Sequence, residues 1–149
     1  MKLNKKLFTG DVKKVPGLIL AFAICGYGTI QIKVANLGME PWDTLALGIN
    51  SRTGIDFGKV TQIVGLVIIL FSLAIRIYPG MATILNMFFI GFFADVTSKF
   101  NIVLIPQHYL LRIIVLFYGN IILSYGLYSY LKFELGAGPR DGLMVGLVK

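Results

Sequence analysis

The sequence predicts an all-α membrane protein: a helical bundle of about four full membrane spans with short broken or re-entrant helices between them. Hydrophobic residues make up 56% of the 149 residues and charged residues only 14%, which is too little charge for a water-facing surface. Four uncharged stretches of sixteen to nineteen residues can each cross a hydrocarbon core about 30 Å thick with their apolar flanks. None of them alternates with the period of two expected for strands of a membrane barrel.

The chain begins with a basic segment, residues 1–14, that we expect on the cytoplasmic side. Five of the fourteen basic residues lie there, directly before an apolar stretch, and basic flanks of this kind face the cytoplasm. No other basic cluster alternates with aromatic residues, so the net charge of +7 does not indicate nucleic-acid binding. Ile24 precedes the single cysteine, Cys25, where a lipoprotein signal needs a small residue. Residues 1–35 are therefore expected to be retained and not cleaved.

The apolar stretches divide the chain into spans. Lys14 and Lys33 bound the first, and Lys59 and Arg76 bound the core of the second. A break follows at Pro79, because proline cannot continue a helix interior, and a third apolar stretch comes after it. A fourth stretch lies between Arg112 and Lys132. The predicted spans cover residues 15–35, 57–78, 79–98 and 110–132.

Two shorter segments, 41–51 and 139–148, are predicted as half-helices that enter the membrane without crossing it. In the first, Arg52 follows Asp43 too closely for a full span. Pro41 has the backbone angle suited to a first helical turn, and a carboxylate at Asp43 is favoured by the positive end of the helix dipole. The interpretation as a re-entrant element competes with that of a full span.

An internal repeat links these two segments. GMEPWDTLALGI over residues 38–49 and GAGPRDGLMVGL over residues 136–147 share five of twelve positions at an offset of 98, including an uncommon membrane aspartate. We therefore divide the chain into a first repeat, 15–107, and an incomplete second repeat, 108–149. An odd number of crossings per repeat predicts inverted topology, with which the basic flanks agree only in part. The short second copy predicts a fragment or a natural short form of a protein of about 200 residues.

The two motifs resemble those of the YczE/YyaS/YitT-type bacterial membrane proteins. LGMEPWDTLALGI follows the first span, and GAGPRDGLMVGL opens the second half of the chain. In that family a P-W-D motif and a G-P-R-D-G-L-M motif occupy these places. The resemblance implies a multi-pass protein of the bacterial cytoplasmic membrane, without an established substrate or catalytic residues.

Ionisable residues of the two motifs are the candidate ligand-binding residues, because each costs several kcal/mol in hydrocarbon unless paired or hydrated. We rank Asp43 and Arg140 first, then Asp141 and Glu40, with Trp42 as a wall of the site. Arg140 is predicted to pair with an acid of the other motif. The alternative is that the four charges cap helices or lie among headgroups and that Trp42 is an interfacial anchor.

No metal site, cofactor or catalytic residue is predicted. The single histidine, His108, has no second histidine or nearby cysteine beside it. Motifs of soluble enzymes are absent from the sequence, which leaves an intramembrane enzyme as the remaining enzymatic alternative.

The sequence favours a transporter-like or channel-like carrier of a small polar or ionic solute, since broken helices occupy matching positions of two repeats. The alternative is an accessory or regulatory membrane protein that binds lipid or a partner protein and transports nothing. The expected partners are the lipid bilayer, a small solute or ion, and a homodimer mate or another membrane subunit. The identity of the solute and the sign of its charge stay open.

Overall fold

The computed structural model describes residues 14–148, and this part of the chain forms six α-helices and contains no strand. The basic segment predicted over residues 1–14 lies outside the described residues, except for Lys14. The helices are α1 (Val15–Ala35), α2 (Pro41–Thr53), α3 (Phe57–Ala74), α4 (Met81–Lys99), α5 (Tyr109–Leu131) and α6 (Pro139–Val148). The predicted all-α fold class is confirmed.

Four helices, α1, α3, α4 and α5, are long and apolar enough to cross a membrane. Large apolar side chains such as Leu70 on α3 and Phe117 on α5 lie more than half exposed on their outer surfaces, as lipid contact requires. Helix α2 has 13 residues, which at about 1.5 Å per residue is too short for a core about 30 Å thick. Helix α6 runs from Pro139 to Val148, the last residue that the structure describes. The chain is a multi-pass membrane protein in contact with the lipid bilayer.

Backbone geometry sets two helix ends that differ from the predicted bounds. Helix α3 ends at Ala74, four residues before the predicted end of the second span at residue 78, because Arg76 takes a left-handed conformation with φ 64°. The amides of Arg76 and Ile77 then bond back to Leu73 and Ser72, the hydrogen-bond pattern of a Schellman motif. Helix α2 continues two residues beyond the predicted end at residue 51 and is stopped by Gly54 at φ 72°.

Helix α1 is the most buried span and packs between α4 and α5. A methyl group at Gly28 would lie 2.8 Å from the backbone nitrogen of Leu123 on α5, and one at Gly26 would lie 2.9 Å from the backbone of Ala94 on α4. Only glycine permits such close contact between helix backbones. The core beneath these contacts includes Phe22, which is fully buried.

The contacts between α1 and α5 are reciprocal at the offset of the sequence repeat. Gly28 of α1 meets Leu123 of α5, and Gly126 of α5 meets Cys25 of α1; each residue of the second pair lies 98 positions from its counterpart in the first. Later residues of α1 meet earlier residues of α5, so the two helices run antiparallel. A two-fold axis between two copies of one unit produces contacts of this kind.

Candidate functional site

The segments that lead into α2 and α6 have matching backbone conformations. Asn36 and Glu134 have φ of 52° and 55°, and Gly38 and Gly136 have φ of 126° and 118°. Each of these pairs is separated by 98 residues. Positive φ is uncommon outside glycine, so two such matches at one offset are a specific similarity. Both segments thus turn the chain into a proline-initiated helix in the same way.

The segment before α6 is held by hydrogen bonds to the start of α4. The amide of Ala82 donates to the carbonyl of Leu135 at 3.0 Å, and the Thr83 hydroxyl donates to the carbonyl of Ala137 at 2.5 Å. The same Thr83 oxygen accepts the amide of Gly80. Irregular backbone is tolerated within a membrane only where protein or enclosed water satisfies its polar groups. Sequence reasoning gave Thr83 no role, because its partner is 54 residues away.

The start of α2 is held by apolar packing. Ala46, fully buried on α2, packs in one cluster with Ile30 of α1, Phe57 of α3 and Ala94 of α4. Thr44 also donates its hydroxyl hydrogen bond back to the carbonyl of Met39. The first two turns of α2 are thereby fixed against three of the spans.

An ion pair joins the first turns of the two short helices. Arg140 donates from Nη2 to Oδ1 of Asp43 at 2.7 Å, and its Nη1 lies 3.9 Å from Oε2 of Glu40. The Asp43 side chain is 9% exposed and that of Arg140 is 23% exposed. The guanidinium also lies 6.0 Å from the centre of the Trp42 ring, within the range of a cation–π contact. The two sequence motifs therefore meet directly.

Asp141 belongs to a second set of hydrogen bonds, which is centred on Tyr130. Tyr130, fully buried at the end of α5, donates its hydroxyl hydrogen bond to Oδ2 of Asp141 at 3.3 Å and accepts the amide of Gly138 at 3.3 Å. The tyrosine thus connects the end of a span to the first turn of α6. Sequence reasoning missed Tyr130, which has the appearance of one more aromatic residue in an apolar span.

A cavity of about 160 Å³ lies between these charges and the spans. It reaches Gly65 and Ile90, the midpoints of α3 and α4, so the site is within the membrane-spanning bundle. Its lining combines the four charged residues with polar and apolar residues. The polar members are Thr29, Glu40, Asp43, Thr61, Asn86, Tyr130, Arg140 and Asp141.

The charges in this cavity are not balanced. Two helix N-termini and one guanidinium face three carboxylates, and both Asp43 and Asp141 occupy first helical turns where the helix dipole favours an anion.

The structure brings together four of the five predicted site residues. Glu40, Asp43, Arg140 and Asp141 all line the cavity, whereas Trp42 is 40% exposed beside Arg140 and is not part of the lining. Their role in ligand binding stays a prediction. Asn86 of α4 also lines the cavity. His108 is exposed at the start of α5, far along the chain from these motifs.

Comparisons with known proteins identify a family and two relatives of uncharacterised function. Residues 12–149 match a family described as a family of unknown function, DUF6198. The chain is 34% identical over 141 residues to an uncharacterized protein of Haemophilus influenzae. The aligned residues cover 95% of this chain and 64% of that protein. The chain is also 36% identical over 130 residues to the uncharacterized membrane protein YczE of Bacillus subtilis. Here the aligned residues cover 86% of this chain and 57% of that protein. The chain thus spans less than two thirds of the length of either relative, and no solved structure matches it.

Proposed function

The chain belongs to the DUF6198 family of unknown function, and from that premise we propose that it is a carrier of a small polar or ionic solute. The observation that supports this most is the Asp43–Arg140 ion pair, between the first turns of α2 and α6 and at the edge of a cavity within the bundle. Charged groups inside a membrane are costly and commonly belong to solute or ion pathways. The charges here also converge on a space large enough for a solute.

The proposal includes an inverted repeat. Secondary transporters commonly place their binding site at the interface of two inverted repeats, where broken helices end near the middle of the membrane. The reciprocal α1–α5 contacts and the matched backbone before α2 and α6 are what such a repeat would produce. We place the protein in the bacterial cytoplasmic membrane with its N-terminus in the cytoplasm, following its basic first residues. The cavity residues bind and release a solute in this proposal and do not catalyse a reaction.

Uptake into liposomes tests the proposal. The full-length protein is reconstituted, and the uptake of radiolabelled cations, anions and neutral metabolites is compared with that of protein-free liposomes. We expect saturable uptake of at least one solute and its loss in Asp43→Asn. A matched control is Asp56→Asn, which removes an acid from the exposed pair with Lys59 at the start of α3 and should leave uptake unchanged.

Two results would contradict the proposal. Flux that persists unchanged in Asp43→Asn would exclude this cavity as the pathway. Absence of flux for every solute, together with co-purification of one stable membrane partner, would favour the accessory or regulatory function instead.

A further inference from the structure

The cavity keeps a negative charge after its internal ion pair has formed. Glu40, Asp43 and Asp141 contribute three negative charges when ionised, and Arg140 contributes one positive charge, which leaves −2. Two helix N-termini of about +0.5 each reduce this to about −1. An anionic ligand would meet helix N-termini whose first turns already carry the carboxylates of Asp43 and Asp141. The remaining charge favours a ligand with a single positive charge.

Asp43 offers an oxygen that the protein does not use. Its Oδ1 accepts a hydrogen bond from Arg140, and within residues 14–148 no hydrogen bond reaches its Oδ2. No side-chain oxygen in this part of the chain is both enclosed and without a partner, so Oδ2 borders open space. Since the side chain is 9% exposed and lines the cavity, that space is the cavity itself. This oxygen is therefore free to accept a hydrogen bond from a cation with N–H groups that enters the cavity.

The opposite walls of the cavity are apolar. Met87 and Ile90 of α4 and Leu123 and Leu127 of α5 line it. Within the described residues no three histidine, cysteine or acidic side chains are close enough to share a metal ion, and hard metal ions need a shell of several oxygens. A ligand with both an ammonium group and a hydrocarbon part matches these walls better. The volume of about 160 Å³ is close to that of a cavity, about 150 Å³, that holds benzene.

We propose that the cavity binds a small organic ammonium ion, with its nitrogen at Asp43 and Glu40 and its hydrocarbon part against α4 and α5. This inference rests on the proposed carrier function and names its substrate class. An ammonium group would donate to the free Oδ2 of Asp43 and to Glu40, the acid that lies farther from Arg140. The Arg140–Asp43 ion pair stays in place in the loaded site.

Fluorescence of Trp42 can report binding, because it is the only tryptophan of the chain and its ring lies 6.0 Å from the Arg140 guanidinium. The full-length protein in detergent is titrated separately with n-butylammonium, butyrate, n-butanol and potassium chloride. We expect a saturable signal with n-butylammonium alone. Loss of a charged hydrogen-bond partner in Asp43→Asn should weaken the apparent affinity about tenfold or more. Asp56→Asn is the control and should bind as the parent does.

Glu40→Gln keeps the inference testable if Asp43→Asn folds poorly, because Glu40 is exposed and is not required for the closer ion pair. It should weaken n-butylammonium binding while the protein stays folded.

Saturable binding of butyrate, an equal response to n-butanol, or undiminished affinity for n-butylammonium in both variants would overturn the inference. Anion uptake in the liposome assay would also overturn it while leaving the carrier function intact. Ammonium binding without any flux would instead contradict the carrier function alone.

Discussion

Burial distinguishes the Arg140–Asp43 ion pair from the surface ion pairs of the molecule. Its side chains are 23% and 9% exposed, compared with 61% and 38% for Lys59 and Asp56, although the two pairs have similar lengths of 2.7 and 2.8 Å. Exposed pairs contribute about 0–1 kcal/mol because water screens them. Removal of one partner from a buried pair costs about 3–5 kcal/mol, since the other charge is left uncompensated.

Arg140→Ala should therefore lower the free energy of unfolding by about 3 kcal/mol, whereas Lys59→Ala should leave it nearly unchanged, because water screens the exposed pair. The double variant Arg140→Ala/Asp43→Asn should recover much of the loss, because no charge remains stranded. Equilibrium unfolding in mixed detergent micelles measures all three variants. If Arg140→Ala lowers the free energy of unfolding as little as Lys59→Ala does, the two motifs do not form a buried ion pair in the membrane.

Helix positions were predictable from the sequence because each depends on local features. Runs of apolar residues place the four spans, and Pro41 and Pro139 begin the two short helices. The end of α3 was not predictable, since it depends on Arg76 taking a left-handed conformation that sequence patterns rarely assign to arginine.

The candidate site was predictable only in part. Charges that are rare in apolar surroundings drew attention to Asp43 and Arg140, and the repeat indicated that their segments correspond. Tyr130 and Thr83 could not be found in this way, because their partners, Asp141 in the first turn of α6 and Ala137 just before that helix, are brought to them only by the fold. Only the fold shows which apolar-looking positions border a polar segment.

Close packing of α1 against α5 yields a prediction about single glycines. A methyl group at Gly28 would lie 2.8 Å from backbone of α5, whereas one at Gly48 on α2 would have no atom within 4 Å. Gly28→Ala should destabilise the protein by about 1–3 kcal/mol through overpacking. Gly48→Ala should be neutral or stabilising by up to about 1 kcal/mol, because alanine favours the helix. Thermal unfolding in detergent compares the two; a neutral Gly28→Ala would contradict the close α1–α5 contact.

At the scale of the whole molecule, the reciprocal contacts extend beyond single glycines. Gly28 meets the carbonyl of Gly119, and Gly126 meets the carbonyl of Ala21. Each residue of the second contact again lies 98 positions from its counterpart in the first. Since α1 and α5 are antiparallel, an axis that relates them lies perpendicular to both helices and so within the membrane plane. On this account α2 and α6 enter from opposite faces, and their first turns meet at Asp43 and Arg140.

Cysteine labelling in intact cells tests that central claim most directly. Single cysteines replace Ser51, near the end of α2, and Leu147, in the last described turn of α6, in a Cys25→Ser background; both positions are exposed. With a cytoplasmic N-terminus, a membrane-impermeant maleimide should label Ser51→Cys in intact cells and Leu147→Cys only after the membrane is opened. Lys132→Cys, just after α5, should behave like Leu147→Cys. Labelling of Ser51→Cys and Leu147→Cys from the same face would contradict the inverted arrangement and the site built on it.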